Sequence, residues 1–176
     1  MAVHNEAAVL RARRLKEQAL LNDHGTISVY WIKDLTHFLA VYQAEPTVRI
    51  GTIKHGVKAD AFIQIARSMD RSKEQLGKTL GLSVTTIDRK VKSGEMLSAE
   101  QGERVVGMAR LIGQVQAMVE QSGSPEGFDA ARWLGQWLDE PLPALGGSPP
   151  SEMMDTAEGR ALVSNLLTMA QSGAYA

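Results

Sequence analysis

The stretch that most constrains this chain is residues 73–94, KEQLGKTLGLSVTTIDRKVKSG. Apolar side chains recur at helical spacing on both sides of Gly81, which predicts two short helices. A glycine just past a helix end accepts positive φ and Ser83 can cap the following helix, so the two helices should meet at a tight corner. Gly77 is small and should let the second helix approach closely. The pattern is typical of a helix-turn-helix, whose second helix enters the DNA major groove.

The predicted second helix separates buried from accessible side chains. Val84, Ile87 and Val91 form its apolar stripe, and polar residues occupy the other faces. Arginine can bond guanine, a threonine methyl can touch thymine, and lysines mostly contact phosphate. The candidate DNA-binding residues are Lys78, Ser83, Thr85, Thr86, Arg89, Lys90 and Lys92. An ordinary helical hairpin with a solvated charged face would give the same two helices.

The charge distribution favours the DNA-binding interpretation. The chain has 176 residues and a net charge of only −1, but the charges are segregated. Residues 49–92 carry ten basic and four acidic side chains, net +6, whereas residues 93–176 carry four basic and eleven acidic ones, net −7. A basic block that coincides with a helix-turn-helix is expected of a phosphate-binding surface. DNA would repel the acidic block, which we expect to face protein.

The rest of the composition argues against several other classes of function. The absence of cysteine excludes disulfides, thiol catalysis and cysteine-bound metal. No stretch approaches the roughly 20 apolar residues of a membrane helix, and no signal-peptide pattern is present. We therefore expect a cytoplasmic location and no membrane contact. The four histidines are scattered and no nucleophile–base set stands out, so we expect no metal, no cofactor and no enzymatic activity.

The remaining chain is predicted to be helical, which gives an all-α fold. The segments with helical apolar spacing are residues 5–21, 34–42, 58–69, 128–138 and 158–171. Residues 27–31 could form a strand, although we favour helix. Ser98 and Gln101 fit a capping box that begins a long helix to about residue 121. Its apolar stripe is nearly heptad-like, so it packs either in the chain's own core or against a second subunit.

Two further apolar patterns lie towards the C-terminus. Trp133 and Trp137 stand four residues apart and therefore lie on one side of a helix. They could form a binding surface for a partner, or they could pack in the core. The last predicted helix is apolar at six positions, which are Leu162, Val163, Leu166, Leu167, Met169 and Ala170. Tyr175 follows in a short tail and could fill a pocket on a partner, or the tail could be a frayed terminus.

An ordered set of short motifs extends over nearly three quarters of the chain. They are residues 53–56 (IKHG), 80–83 (LGLS), 86–89 (TIDR), 97–100 (LSAE), 103–105 (ERV), 109–111 (ARL), 137–138 (WL), 144–147 (ALGG), 166–167 (LL) and 173–176 (GAYA). This set resembles the Xre/ParS antitoxin family of bacterial type II toxin–antitoxin pairs. The division that follows is an N-terminal helical extension (1–47), a helix-turn-helix domain (48–97), a linking or dimerisation helix (98–121) and a toxin-binding domain (122–176).

The resemblance implies an all-helical antitoxin that binds operator DNA as a homodimer and represses its own operon. It also implies a RES-type toxin partner, NAD-degrading or similar to ADP-ribosyltransferases, which the antitoxin's C-terminal segment inhibits near the active-site entrance. The expected toxin-binding residues are Trp133, Trp137, Leu145, Gly173, Ala174, Tyr175 and Ala176. One departure is Lys90, which stands where such proteins usually have an apolar residue. The alternatives are a helix-turn-helix regulator without a toxin partner, and a structural adaptor that does not bind DNA.

Overall fold

The computed structural model describes residues 31–123 and 126–171, and within these ranges the chain forms helices and no strand. The eight α-helices are α1 (Phe38–Gln43), α2 (Pro46–His55), α3 (Asp60–Ser68), α4 (Lys73–Leu80), α5 (Val84–Ser93), α6 (Ala99–Ser122), α7 (Ala130–Trp137) and α8 (Ala157–Gln171), with two 3₁₀ turns, η1 (Pro143–Leu145) and η2 (Pro150–Met153). The predicted all-α class is confirmed. The predicted helix over residues 5–21 and the Gly173–Ala176 tail lie outside the described residues, as do residues 27–30 of the strand-or-helix segment.

The long helix α6 is the centre of the core. Its start is fixed by the predicted capping box, in which Ser98 Oγ accepts from the Gln101 amide at 3.2 Å and Gln101 Oε1 accepts from the Ser98 amide at 3.0 Å. Five of the six residues in the predicted heptad-like stripe are buried within this chain, namely Val105, Met108, Ala109, Ile112 and Val115, and the sixth, Val119, is half-buried. The buried part of the stripe is not available to a second subunit.

Helix α1 packs against α6 by close backbone contact. A Cβ atom at Gly113 would lie 2.0 Å from the carbonyl oxygen of Phe38, so the contact requires glycine. Val41 of α1 is fully buried, in the same core as the helix-turn-helix. Helix α2 was not among the helical segments predicted from the sequence. It begins at Pro46, and proline suits this place because the backbone N–H of the first helical residue makes no hydrogen bond within the helix, so its absence costs nothing.

Helix α8 runs beside α6 in the same direction. Near its start Arg160 pairs with Glu103, in its middle Gln114 Nε2 donates to Ser164 O at 2.9 Å, and at its end Gln171 Nε2 donates to Met118 O at 3.5 Å. The C-terminus of α8 therefore lies beside the C-terminal half of α6, away from the end that contacts the helix-turn-helix.

The apolar residues of α8 are only partly buried. Val163, Leu166 and Leu167 are buried, but Leu162 and Met169 are 42% and 44% exposed, and Ala170 is also exposed. The apolar residues extend around more of the helix than its neighbours cover, so one side of α8 remains accessible.

Candidate functional site

The corner between α4 and α5 has the predicted geometry. Gly81 is left-handed with φ +61°, and the Leu82 amide donates back to Gly77 O at 2.8 Å. Ser83 begins α5, and its hydroxyl accepts from the Thr86 amide at 3.4 Å. A Cβ atom at Gly77 would lie 2.8 Å from a methyl of Val84. The close approach of the two helices is therefore confirmed, and it depends on glycine.

Two cationic side chains fix the corner from either side. Lys73 Nζ lies 2.7 Å from both carboxylate oxygens of Asp88, which ties the start of α4 to the middle of α5. Arg104 of α6 donates from Nη1 to Leu80 O and Gly81 O, both at 3.0 Å. The carbonyl groups at the end of α4 thus find a donor on the central helix, and α5 is held in a fixed orientation.

Most of the predicted DNA-binding residues are accessible on this unit. Thr86 is half-buried, while five others are exposed, namely Lys78, Ser83, Thr85, Arg89 and Lys92. Of the predicted apolar stripe, Ile87 is fully buried and Val84 and Val91 are partly buried. The exposed set is therefore available to phosphate and base edges.

Lys90 is placed differently from the others. Its side chain is only 15% exposed, and Nζ donates to Met96 O at 2.8 Å, with Glu95 Oε2 at 3.8 Å. The aliphatic stem thus occupies the position where the resemblance expects an apolar residue, and the ammonium reaches the carbonyl beyond it. Lys90 stabilises the segment after α5 and is not part of the exposed set.

Arg89 is held by an acidic residue that sequence reasoning did not single out. Its Nη1 donates to Glu95 Oε1 at 2.9 Å, and the hydroxyl of Ser93 donates to the same oxygen at 2.7 Å. The hydrogen bond from Ser93 lowers the pKa of Glu95, and the charges of Arg89 and Lys90 act in the same direction. Glu95 is therefore ionised at neutral pH and orients the guanidinium. Its position just after the helix end gave no recognisable motif.

The tryptophan pair of the C-terminal region lies mostly inside the protein. Trp137 is buried and Trp133 is half-buried. Their rings stack with centroids 5.9 Å apart, and Phe128 lies 6.1 Å from Trp133. The structure thus favours the core-packing alternative for Trp137 and leaves Trp133 partly accessible. Leu145, in η1, is half-buried against the core.

The described part of the chain contains neither a metal-binding cluster nor a helix that could span a membrane. Among residues 31–123 and 126–171, no three His, Asp or Glu side chains are grouped so as to hold a metal ion. None of the helices in those ranges combines the length and the apolar character needed to cross a membrane.

The fold defines a helix-turn-helix protein whose C-terminal helical region shares its core. Residues 48–110 match the antitoxin Xre-like helix-turn-helix domain, and residues 126–173 match the antitoxin Xre/MbcA/ParS C-terminal toxin-binding domain. A relative from Sphingobium sp. (strain YBL2), named Prs ADP-ribosylating antitoxin, is 44% identical over 139 residues, which are 79% of this chain and 87% of the relative. The chain belongs to the Xre/MbcA/ParS family and is an antitoxin with a toxin-binding domain.

Proposed function

We propose that this antitoxin inhibits a RES-type toxin and represses its own operon by binding operator DNA. The observation that carries the proposal is that the exposed basic candidates lie on the helix-turn-helix, whereas the region that matches the toxin-binding domain, residues 126–173, forms other elements of the fold. The two regions contact each other near the start of α8, where Arg160 pairs with Glu103 beside Arg104. The C-terminal end of α8 lies farther from the corner, because Gln171 contacts Met118, which is about 20 Å along α6 from Arg104.

The proposed partner is NAD-degrading or similar to ADP-ribosyltransferases. The resemblance of the C-terminal motifs to the RES-associated antitoxins supports this class of toxin, and so does the name of the 44% identical relative, which contains "ADP-ribosylating". Our proposal gives the antitoxin no catalytic reaction of its own, because its inhibitory role needs only binding. Toxin and operator would both be met in the cytoplasm.

The proposed DNA contact uses the exposed side of α5 and the adjacent residues of α4. Five exposed candidates support it, in a segment with net charge +6. Repressors of this kind act as homodimers on two half-sites about one helical turn apart. Because most of the apolar stripe of α6 is buried within the chain, the proposed dimer would form mainly through other residues.

Purification together with the product of the neighbouring toxin gene tests the inhibitory function. We expect one complex, and we expect the antitoxin to suppress NAD consumption by the toxin. Deletion of Gly173–Ala176 should relieve inhibition more than it weakens binding, because the tail would act at the active-site entrance. Failure to form a complex would favour the regulator without a toxin partner, and full inhibition by the truncated chain would contradict the tail's role.

Binding to the chain's own promoter tests the DNA-binding function. Each phosphate contact releases counterions, so the logarithm of the binding constant should fall steeply with the logarithm of salt concentration. A fluorescence titration at several salt concentrations, with a random duplex of equal length as control, measures both slope and specificity. Equal affinity for the promoter and the random duplex would contradict operator recognition. Absence of any DNA binding would favour the structural adaptor.

A further inference from the structure

The accessible side of α8 is apolar at a regular spacing. Leu162 and Met169 are 42% and 44% exposed and stand seven residues apart, which is two helical turns. On the opposite side, Val163 and Leu167 are fully buried. Single exposed apolar residues are ordinary on protein surfaces, so the residues around this pair decide whether it marks an interface.

The exposed side of α8 carries little charge near the pair, since its acidic residue is Glu158, one turn before Leu162. The charge-free face is the exposed side of residues 161–171. From residue 161 to residue 171 the chain reads ALVSNLLTMAQ, without one acidic or basic side chain. The exposed members are Ala161, Leu162, Asn165, Thr168, Met169, Ala170 and Gln171. A solvent-facing helix surface normally carries charged residues, whereas the centre of a protein interface is depleted of charge and enriched in methionine. This side of α8 has the composition of an interface.

The helix that presents this face is firmly held. Ser164 Oγ donates to Gln114 Oε1 at 2.7 Å, and Gln114 returns a hydrogen bond to Ser164 O at 2.9 Å. The side chain of Arg160 is only 7% exposed and pairs with Glu103 at 2.6 Å. These contacts fix the rotation of α8 about its axis, so binding would require little ordering of this surface.

We propose that the charge-free face of α8, centred on Leu162 and Met169, is the surface on which the toxin docks. The face lies within the region that matches the toxin-binding domain, residues 126–173. It leads directly into the tail, residues 172–176, and it lies on the C-terminal unit rather than on the basic helix-turn-helix. The surface of the toxin that docks on this face is itself mostly uncharged and apolar. This assignment rests on the toxin pairing proposed above.

The proposed surface differs from the tryptophan pair predicted from the sequence. That prediction left two alternatives for Trp133 and Trp137, a surface for a partner and core packing. The tryptophans stack on each other and Trp137 is buried, so they offer a partner little area. Leu162 and Met169 provide the exposed large apolar side chains of α8.

Leu162→Asp and Met169→Asp, each purified as the full chain, test the proposal by titration against the neighbouring toxin. A charge placed in a desolvated interface should weaken toxin binding about 30-fold or more, the effect of losing a hot-spot residue. Ile50→Asp is the matched control, because Ile50 is 50% exposed but lies on α2. We expect less than about a threefold change for the control. Both substituted residues are exposed, and circular dichroism together with promoter binding reports whether each variant folds.

The possible outcomes distinguish a wrong docking surface from a wrong toxin partner. If the unaltered chain binds the toxin and both α8 variants bind it equally well, the surface assignment is wrong while the proposed toxin pairing stands. If either variant instead converts a dimer into a monomer without changing toxin affinity, α8 is a contact between copies of this chain, which also overturns the assignment. If the unaltered chain does not bind the toxin, the proposed pairing fails and the docking assignment fails with it.

Discussion

Glu103→Gln measures how strongly the buried arginine of α8 depends on its carboxylate. Arg160 Nη2 donates to Glu103 Oε1 at 2.6 Å, and Nη1 donates to Met154 O at 2.9 Å. The arginine side chain is 7% exposed and the Glu103 side chain 41% exposed. Glutamine keeps one acceptor oxygen but leaves the buried guanidinium without a counter-charge. The arginine then pays a desolvation penalty that its partner no longer offsets.

The magnitude follows from the burial of the two partners. Removing one member of a fully buried pair lowers the free energy of unfolding by about 3–5 kcal/mol. Because Glu103 is partly exposed, water solvates part of the site, and we expect a loss of about 2–3 kcal/mol. In a chain of this size that loss should lower the melting temperature by roughly 5–10 °C.

Glu100→Gln is the matched control on the same helix. Glu100 Oε1 accepts from Arg104 Nη2 at 2.5 Å, but its side chain is 76% exposed, and Arg104 keeps two backbone carbonyl acceptors. We expect a loss below about 0.5 kcal/mol. Urea unfolding followed by circular dichroism compares both variants with the unaltered chain. Equal losses, or a loss below about 1 kcal/mol for Glu103→Gln, would refute the reasoning.

Three further predictions concern the helix-turn-helix. Arg89→Ala should weaken operator binding in a gel-shift assay and leave toxin neutralisation unchanged, and loss of both would contradict two separate surfaces. Gly77→Ala should lower stability by about 1–3 kcal/mol, because a methyl 2.8 Å from Val84 outweighs a gain of about 1 kcal/mol in helix propensity; a higher melting temperature would argue against the close approach. Glu95→Gln should raise affinity for random DNA and reduce the preference for the operator, and an unchanged ratio in fluorescence titrations would show that Glu95 does not orient Arg89.

The helix ends were predictable from the sequence because their signals are local. Gly81 and Ser83 define the corner with hydrogen bonds to residues at most five positions away. The capping box of Ser98 and Gln101 closes over three residues, and α6 starts at the next residue after Ser98, as predicted. Such contacts form whatever the rest of the fold does.

Helix α2 was not predicted because the residues that it buries are small. Its buried residues are Gly51 and Thr52, neither of which is a large apolar side chain, while Ile50 is half-exposed. A periodicity search relies on large apolar residues that face the core. Thr52 is buried because its hydroxyl donates to Val48 O at 2.8 Å and accepts from the Ile32 amide at 2.9 Å. The second contact spans twenty residues and leaves no sequence pattern.

The covered side of α8 depends on tertiary packing. Val163 and Leu167 stand four residues apart, and Leu162 and Met169 stand seven apart, so both pairs fit a helical stripe. The two stripes are equally apolar, and only the position of α6 and η2 decides which one is buried. The tryptophan spacing is ambiguous in the same way. The exposure of Lys78, Arg89 and Lys92 was easier to predict because charge usually marks the accessible side of a helix, although Lys90 is a charged residue that is mostly buried.

The opposite net charges of residues 49–92 and 93–176 are not separated in space. Asp139 pairs with Arg71, and Glu95 accepts from Arg89 at 2.9 Å and lies 3.8 Å from Lys90 Nζ. These acidic residues offset part of the positive charge next to the proposed DNA-binding surface. The C-terminal end of α8 contacts α6 at Met118, about 20 Å along the helix from the corner contact at Arg104, whereas the Debye length at physiological ionic strength is about 8 Å. A toxin bound at that end would therefore change the electrostatic potential of the proposed DNA-binding surface little.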